Sequence, residues 1–378
     1  MSVTLDTVLK QTPLHALHGE LGARMVPFAG YAMPLQYPTG IIKEHLLTRS
    51  SAGLFDVSHM GQISLRSRRG TLADAAHALN RLVCADIWSL PVGRQRYALF
   101  TNETGGIIDD LMVANRGDYL NLIVNASRKD ADAAHLQANL AEVCAIERHD
   151  DRALLALQGP KSESVLAPFE PAVATMNFMD VRTVSLAGIA CEISRSGYTG
   201  EDGFELSVAA ADAEPLARAL LENPAVAPVG LGARDSLRLE AGLCLYGADL
   251  DEKTSPVEAS LEWSIQKSRR IGPTTGGFPG APRILGELES GAARRRVGLR
   301  VEGRVPVRAG AEMFAGDEPA GIVTSGGFGP SVERPVAMGF VARAYAQSGT
   351  ALCADVRGNK ISATVCDLPF VATHYKRT

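Results

Sequence analysis

The chain of 378 residues is too long for one ordinary core and long enough for two or three domains of ~150 residues each. Hydrophobic residues at 46% and charged residues at 21% match ordinary globular chains and exclude wholesale disorder. With 38 basic against 42 acidic residues the net charge is −4, so the chain lacks the broad positive field by which nucleic-acid binders displace counterions.

The opening MSVTLDTVLKQTPLH has neither the apolar core of a signal peptide nor Arg-rich transit character, and no apolar run approaches the ~20 residues of a bilayer span. The expectation is a cytoplasmic chain with no membrane partner. A short amphipathic helix is predicted from Thr12-Pro13 to Gly22. Its His15 and His18 read as solvated surface residues and not as metal ligands, because no carboxylate or cysteine partners stand beside them in sequence. Six scattered cysteines form no CxxC pair, and HExxH, GxGxxG, Walker A and GxSxG are absent. No metal site is expected.

Strand patterns then alternate irregularly with helical ones, which argues for an α+β fold and against a doubly wound parallel sheet. Gln95 to Thr101 and Ile107 to Ala114 flank the turn residues Asn102 to Gly106 as a hairpin, and Tyr119 to Val124 extends it to a three-strand meander. Within that hairpin, strand alternation puts Asp109 on one face and Asp110 on the other, so at least one carboxylate shares a face with apolar neighbours. A desolvated carboxylate has a raised pKa and marks a candidate site; an edge strand whose acids meet water is the plain alternative.

Helices are predicted at Arg128 to Ala141, Ala211 to Glu222 and Ala233 to Ala241. Between them RSGYTGEDGFE (Arg195 to Glu205) reads as a glycine-punctuated turn from which Tyr198 and Glu205 face one pocket. In GLGARDSLRLEAG (Gly230 to Gly242), Arg234 and Arg238 share a helical stripe, with Asp235 and Glu240 available for ion pairs. The Gly/Pro-dense stretch Ile271 to Ala281 is the linker candidate, and beyond it VGLRVE, AGIVTSG, VAMGFV, ALCADV and ISATVCD read as strands of a small barrel or sandwich. Arg294-Arg295-Arg296 at its start reads as solvated, with a docking patch for an acidic protein as the alternative.

Taken in order, VPFAGYAMPLQYP (Val26 to Pro38), LFDVSHMGQ (Leu54 to Gln62), QRYALFTNETGGIIDDLMV (Gln95 to Val113), SGYTGEDGFE (Ser196 to Glu205), GLGARDSLRLEAGLCLYG (Gly230 to Gly247) and the closing FVATHY (Phe370 to Tyr375) resemble the aminomethyltransferase, or T-protein, family of the glycine cleavage system. The resemblance runs from about Thr12 to the end of the chain. It implies a three-domain cloverleaf: two sequence-interleaved α+β domains with antiparallel sheets around a central folate cavity over residues 1–275, and a C-terminal all-β barrel over 282–378. It also implies transfer of a one-carbon unit from an aminomethyl group on the lipoyl arm of the H-protein to tetrahydrofolate, with release of ammonia.

Residue by residue, the resemblance makes Asp110 the essential aspartate and Glu205 the acid that pairs with the pteridine ring. Tyr97 and Tyr198 become aromatic walls of the folate cavity, Arg234 a ligand-binding arginine, and Tyr375 the tyrosine near the chain end. SRRIGPTTGG (Ser268 to Gly277) and the ending THYKRT depart from the family pattern. Other readings on the same fold are a folate-dependent demethylase of a small methylated substrate and a non-catalytic folate-binding protein of cluster assembly; the latter's KGCYxGQE-type motif is absent here. A monomer that meets its lipoylated H-protein transiently is expected.

Overall fold

The computed structural model describes residues 8–377, so the start read as leaderless lies partly outside it. Two largely antiparallel sheets and a closed barrel carry the fold. The first sheet runs in the order Gln95–Thr101, Ile107–Asn115, Leu120–Val124, Gly61–Ser67 and Cys144–Arg148, every neighbouring pair antiparallel. The predicted hairpin and meander are its first three strands. Ile107–Asn115, which carries Asp109 and Asp110, is bonded on both sides, so the edge-strand alternative does not hold.

Alternation gives this sheet two different faces. Leu111 and Val113 point into a core with Leu79, Leu136 and Leu140 from the helices Leu72–Asn80 and Lys129–Leu140. The other face turns to the second sheet, ordered Val181–Leu186, Ile189–Ser194, Gly203–Ala209, Arg152–Gln158, Ala52–Asp56 and Val226–Pro228, with only the last pair parallel. The helices His15–Glu20, Ser162–Leu166 and Ala213–Leu221 cover its far face over a core that includes Leu17, Leu155, Phe204 and Leu216.

The predicted helices are present with shifted ends: Lys129–Leu140, Ala213–Leu221 and Leu231–Glu240. The helix at His15–Glu20 corrects one expectation, because His18 is buried and its Nε2 lies 2.9 Å from Asp56, its Nδ1 2.9 Å from the Tyr37 hydroxyl. His18 is a core residue that satisfies a buried carboxylate, not a solvated one.

Past the irregular stretch at Ile271, the helix Ala281–Ser290 sends Ile284 against Leu99, Ile107 and Leu250. The barrel closes through Arg294–Val301, Arg334–Ala342, Glu318–Gly329, Glu312–Ala315, Ala351–Val356 and Asn359–Cys366, and closure leaves no free edge to template aggregation. The arginine triplet is a solvated strand start only in part, with Arg295 exposed and Arg294 half-buried. Arg294 pairs with Glu258 and Arg295 with Glu262, while Arg296 is buried and donates to the Ala259 and Gly242 carbonyls. The tail then runs back across the molecule: the N–H groups of Phe370 and Val371 donate to the Glu240 carbonyl and that of His374 to Gly200, while Phe178 N–H donates to Lys376.

Candidate functional site

The inner faces of the two sheets enclose a narrow cavity lined by Gln95, Met112 and Ile123 from one and Leu154, Ser194 and Glu205 from the other. Gln95 also lines a neighbouring cavity of about 220 Å³ with Tyr97, Arg96, Met179, Leu90 and Trp263. They share Gln95, and their walls mix apolar and aromatic side chains with a few polar groups, as small-molecule sites do.

Asp110 lies on the cavity-facing side of its strand, in line with Met112 and Ala114. Tyr97 donates its hydroxyl to Asp110 Oδ2 at 3.1 Å, and the Asn125 amide donates to Oδ1 at 2.7 Å. Loss of water around the carboxyl, with Asp109 next to it, pushes Asp110 up to about 7, against the pull of those two hydrogen bonds. It is poised to change charge near neutral pH. Tyr97 stacks on Trp263 with ring centroids 5.1 Å apart, and Trp263 is 61% exposed at the mouth.

Glu205 is paired in the ladder with Ala156 and accepts from the Ser196 hydroxyl at 2.8 Å, leaving its other oxygen free for a donor from the cavity. Burial raises its pKa. Arg234, on the helix Leu231–Glu240, lies over the Tyr198 ring at 4.7 Å, and its Nη2 is 3.9 Å from Met60 Sδ. Among the described residues no carboxylate comes within ion-pair distance of this guanidinium, although Glu205 is close enough to act on it electrostatically. The Tyr198 hydroxyl donates to the Cys244 carbonyl. Arg238, one turn on, is spent on structure, bonded to Asp235 and Asp249.

Asp110, Tyr97, Tyr198, Glu205 and Arg234 therefore converge on one region through direct contacts or mutual fields. Tyr375 does not touch the others. It stacks on Phe178 at 4.1 Å, and the next residue, Met179, lines the larger cavity.

The GCVT N-terminal domain model matches residues 14–269, and the glycine cleavage T-protein C-terminal barrel domain model matches residues 294–372. The chain belongs to the glycine cleavage T-protein family. Relatives named mitochondrial aminomethyltransferase are 44% identical in Dictyostelium discoideum (98% of this chain, 94% of the relative) and 45% identical in Gallus gallus (97% and 94%). The crystal structure of glycine cleavage system aminomethyltransferase T from Bartonella henselae matches with TM-score 0.90 and 42% identity, covering 98% of this chain and all of that one.

Two residues of this candidate site were not legible in the sequence. Asn125, 15 residues after Asp110, reaches both aspartates, and its one signal is an amide just before a predicted helix. Trp263 sits in a short 3₁₀ turn whose pattern announces nothing. Among the described residues no cluster of His, Cys, Asp and Glu could hold a metal ion, and no helix is long and apolar enough to cross a membrane.

Proposed function

We propose that this chain is the aminomethyltransferase of glycine cleavage, moving a one-carbon unit from the aminomethyl-dihydrolipoyl H-protein to tetrahydrofolate. The observation that carries the reading is Asp110, a carboxyl lifted to about 7 and held by Tyr97 and Asn125 in a cavity whose far wall presents Glu205. The relatives' names support the same activity.

The folate supplies amine nucleophiles. Forming the methylene bridge breaks the carrier's C–S and C–N bonds, and the two N–H protons given up leave as one on ammonia and one on the dihydrolipoyl thiol. Positive charge develops as ammonia departs, and ionised Asp110 stabilises it as a fixed anion in a dry site. The same carboxylate accepts a proton from the attacking amine. Tyr97 and Asn125 keep that carboxylate oriented.

Glu205 has one oxygen open to the cavity and suits the two-donor edge of a pteridine. Arg234, without a carboxylate partner, suits an acceptor on the same ligand, and Tyr198 backs it by cation–π contact. Tyr97 and Trp263 offer stacked faces at the mouth, and Tyr375, behind Phe178, fixes that end of the cavity. The reading extends to a monomer that docks its lipoylated partner transiently, works in the cytoplasm, needs no metal, and divides at 1–275 and 282–378.

The test is formation of methylene-tetrahydrofolate and ammonia by purified protein given tetrahydrofolate and aminomethyl-loaded H-protein, with D110N beside it. Turnover in the parent, lost in D110N while folate still binds, is the expected result. Folate binding without turnover in the parent would overturn the assignment.

A further inference from the structure

Behind Asp110, on the core side of the same strand, Asp109 is fully buried. The Asn125 amide donates to its Oδ1 at 2.9 Å and the Asn125 backbone N–H to its Oδ2 at 3.2 Å. The helix Lys129–Leu140 brings Asp132 to the same place, also fully buried, and neither of its carboxyl oxygens meets an N–H or a side-chain O–H of any other residue among those described. The carboxyl of Asp109 is the group within hydrogen-bond reach of it, while Arg128 and Asp110 act on it through their charge alone. Two ionised carboxylates cannot meet in a dry interior, whereas an acid and a carboxylate can hydrogen-bond there.

We propose that Asp109 and Asp132 share one proton, and that this acid–carboxylate pair holds Asn125, and through it Asp110, in the orientation the reaction needs. The role rests on the function proposed above; the shared proton does not. Asn125 is the physical link, because a single Nδ2 donates to Asp109 Oδ1 at 2.9 Å and to Asp110 Oδ1 at 2.7 Å. The groups facing the pair are few. Asp110 is on its own strand, and Tyr97 bonds Asp110 from the neighbouring strand. Arg128, its Nε buried without a partner and its Nη2 on Glu252, flanks Asp132 at the helix start. Tyr246 closes the side under the Arg128 guanidinium, and His135, one turn along the helix, packs edge-on against Phe100. Burial and the neighbouring acid raise the pKa of Asp109, and burial raises that of Asp132, so the pair keeps its proton through neutral pH.

Infrared difference spectroscopy of the whole protein at pH 8.5, where Asp110 is ionised, tests the shared proton without any substrate. The parent shows a protonated-carboxyl band that shifts in D₂O and is lost in D109N, where an amide replaces the acid as donor to Asp132. No such band in the parent, or an unchanged band in D109N, overturns the pair; the parent spectrum decides even if D109N does not fold.

The positioning role is read from pH profiles of kcat. D109N keeps the single charge on Asp132, whereas D132N removes it. D132N therefore moves the acidic limb to lower pH by roughly 0.5–2 units, the span expected for removal of one nearby charge between aqueous and near-surface screening, and D109N moves it the same way by less, since Asp109 is itself one of the groups that raise Asp110. D132N also lowers kcat about 10-fold with folate KM within about 2-fold, as expected for loss of transition-state orientation. An unmoved limb in D132N overturns the positioning role. A parent that binds folate but does not turn over, with the band intact, places the failure in the proposed function and not in the pair.

Discussion

Tyr97 and Asp110 stand diagonally across two neighbouring antiparallel strands, where Leu99 is the residue directly opposite Asp110 and Tyr97 opposes Met112. Diagonal neighbours on one face of a sheet lie within reach of an aromatic side chain, and here the phenol meets the carboxylate at 3.1 Å. Since that bond lowers a pKa which burial has lifted to about 7, Y97F lifts it further. The ionised form is the active one, so activity rises with pH through this value. In Y97F the acidic limb of kcat/KM moves to higher pH, with a loss of about 10-fold at pH 7, equivalent to ~1.4 kcal/mol, and recovery by pH 9. A limb that stays in place would show that Tyr97 does not govern Asp110.

Glu205 presents one carboxylate oxygen to the cavity and has the other on Ser196. E205Q exchanges a charge-assisted acceptor for a neutral amide with a donor on the wrong side. Folate KM rises about 10- to 100-fold while kcat changes little, because the contact is made in ground and transition states alike. Isothermal titration with tetrahydrofolate measures the binding loss directly; unchanged affinity sinks the pairing.

Glu240 anchors a buried network. Its Oε2 takes His45 at 3.0 Å and Arg49 at 3.0 Å, and its Oε1 accepts from Ser331 N–H at 2.8 Å. Burial pushes its pKa up, but the His45 hydrogen bond and charge outweigh it, down to about 2. A depressed carboxylate contributes stability that is complete above its unfolded value near 4.3 and is lost as pH falls through about 2. E240Q loses that contribution while Arg49 keeps Glu201 at 2.9 Å, costing about 1.5–3 kcal/mol at pH 7. Urea unfolding at pH 7 and pH 3 checks it: the gap between parent and variant narrows at the lower pH.

Gly106 is the tightest point of the hairpin turn, where an added Cβ would overlap the Glu252 carbonyl. Both neighbours there are backbone and cannot rotate away. G106A costs about 1–3 kcal/mol through overpacking and lowers Tm; an unchanged Tm would mean the 251–254 segment yields freely.

The sequence was informative where the decisive contacts are local. Asn102 to Gly106 mark the hairpin because turn chemistry resides in those residues, and Asn102 Oδ1 accepts from the N–H groups of Thr104 and Gly106. Strand order is not local, and nothing within Ile107–Asn115 reveals that Leu120–Val124 covers its second side. His18 was misread for the same reason, since its partner Asp56 is 38 positions away. Arg296 looked like one of three surface cations, yet its guanidinium is taken by carbonyls 37 and 54 positions earlier. Asp110, Tyr97 and Glu205 were named through family likeness. Alternation alone had already separated the two aspartates onto opposite faces, which is how they stand.

The tail described above has a bearing on the order of manufacture. Phe178 is made long before the ring it stacks on, since Tyr375 lies 197 positions further along the chain. Glu240 and Gly200 likewise wait for Phe370 and His374 to occupy their carbonyls. On the ribosome the two sheets can pair while the cavity stands open at that end. Closure of the cleft at that end thus follows the making of both sheets, and a chain that stops before Phe370 keeps its sheets but not its closed cleft.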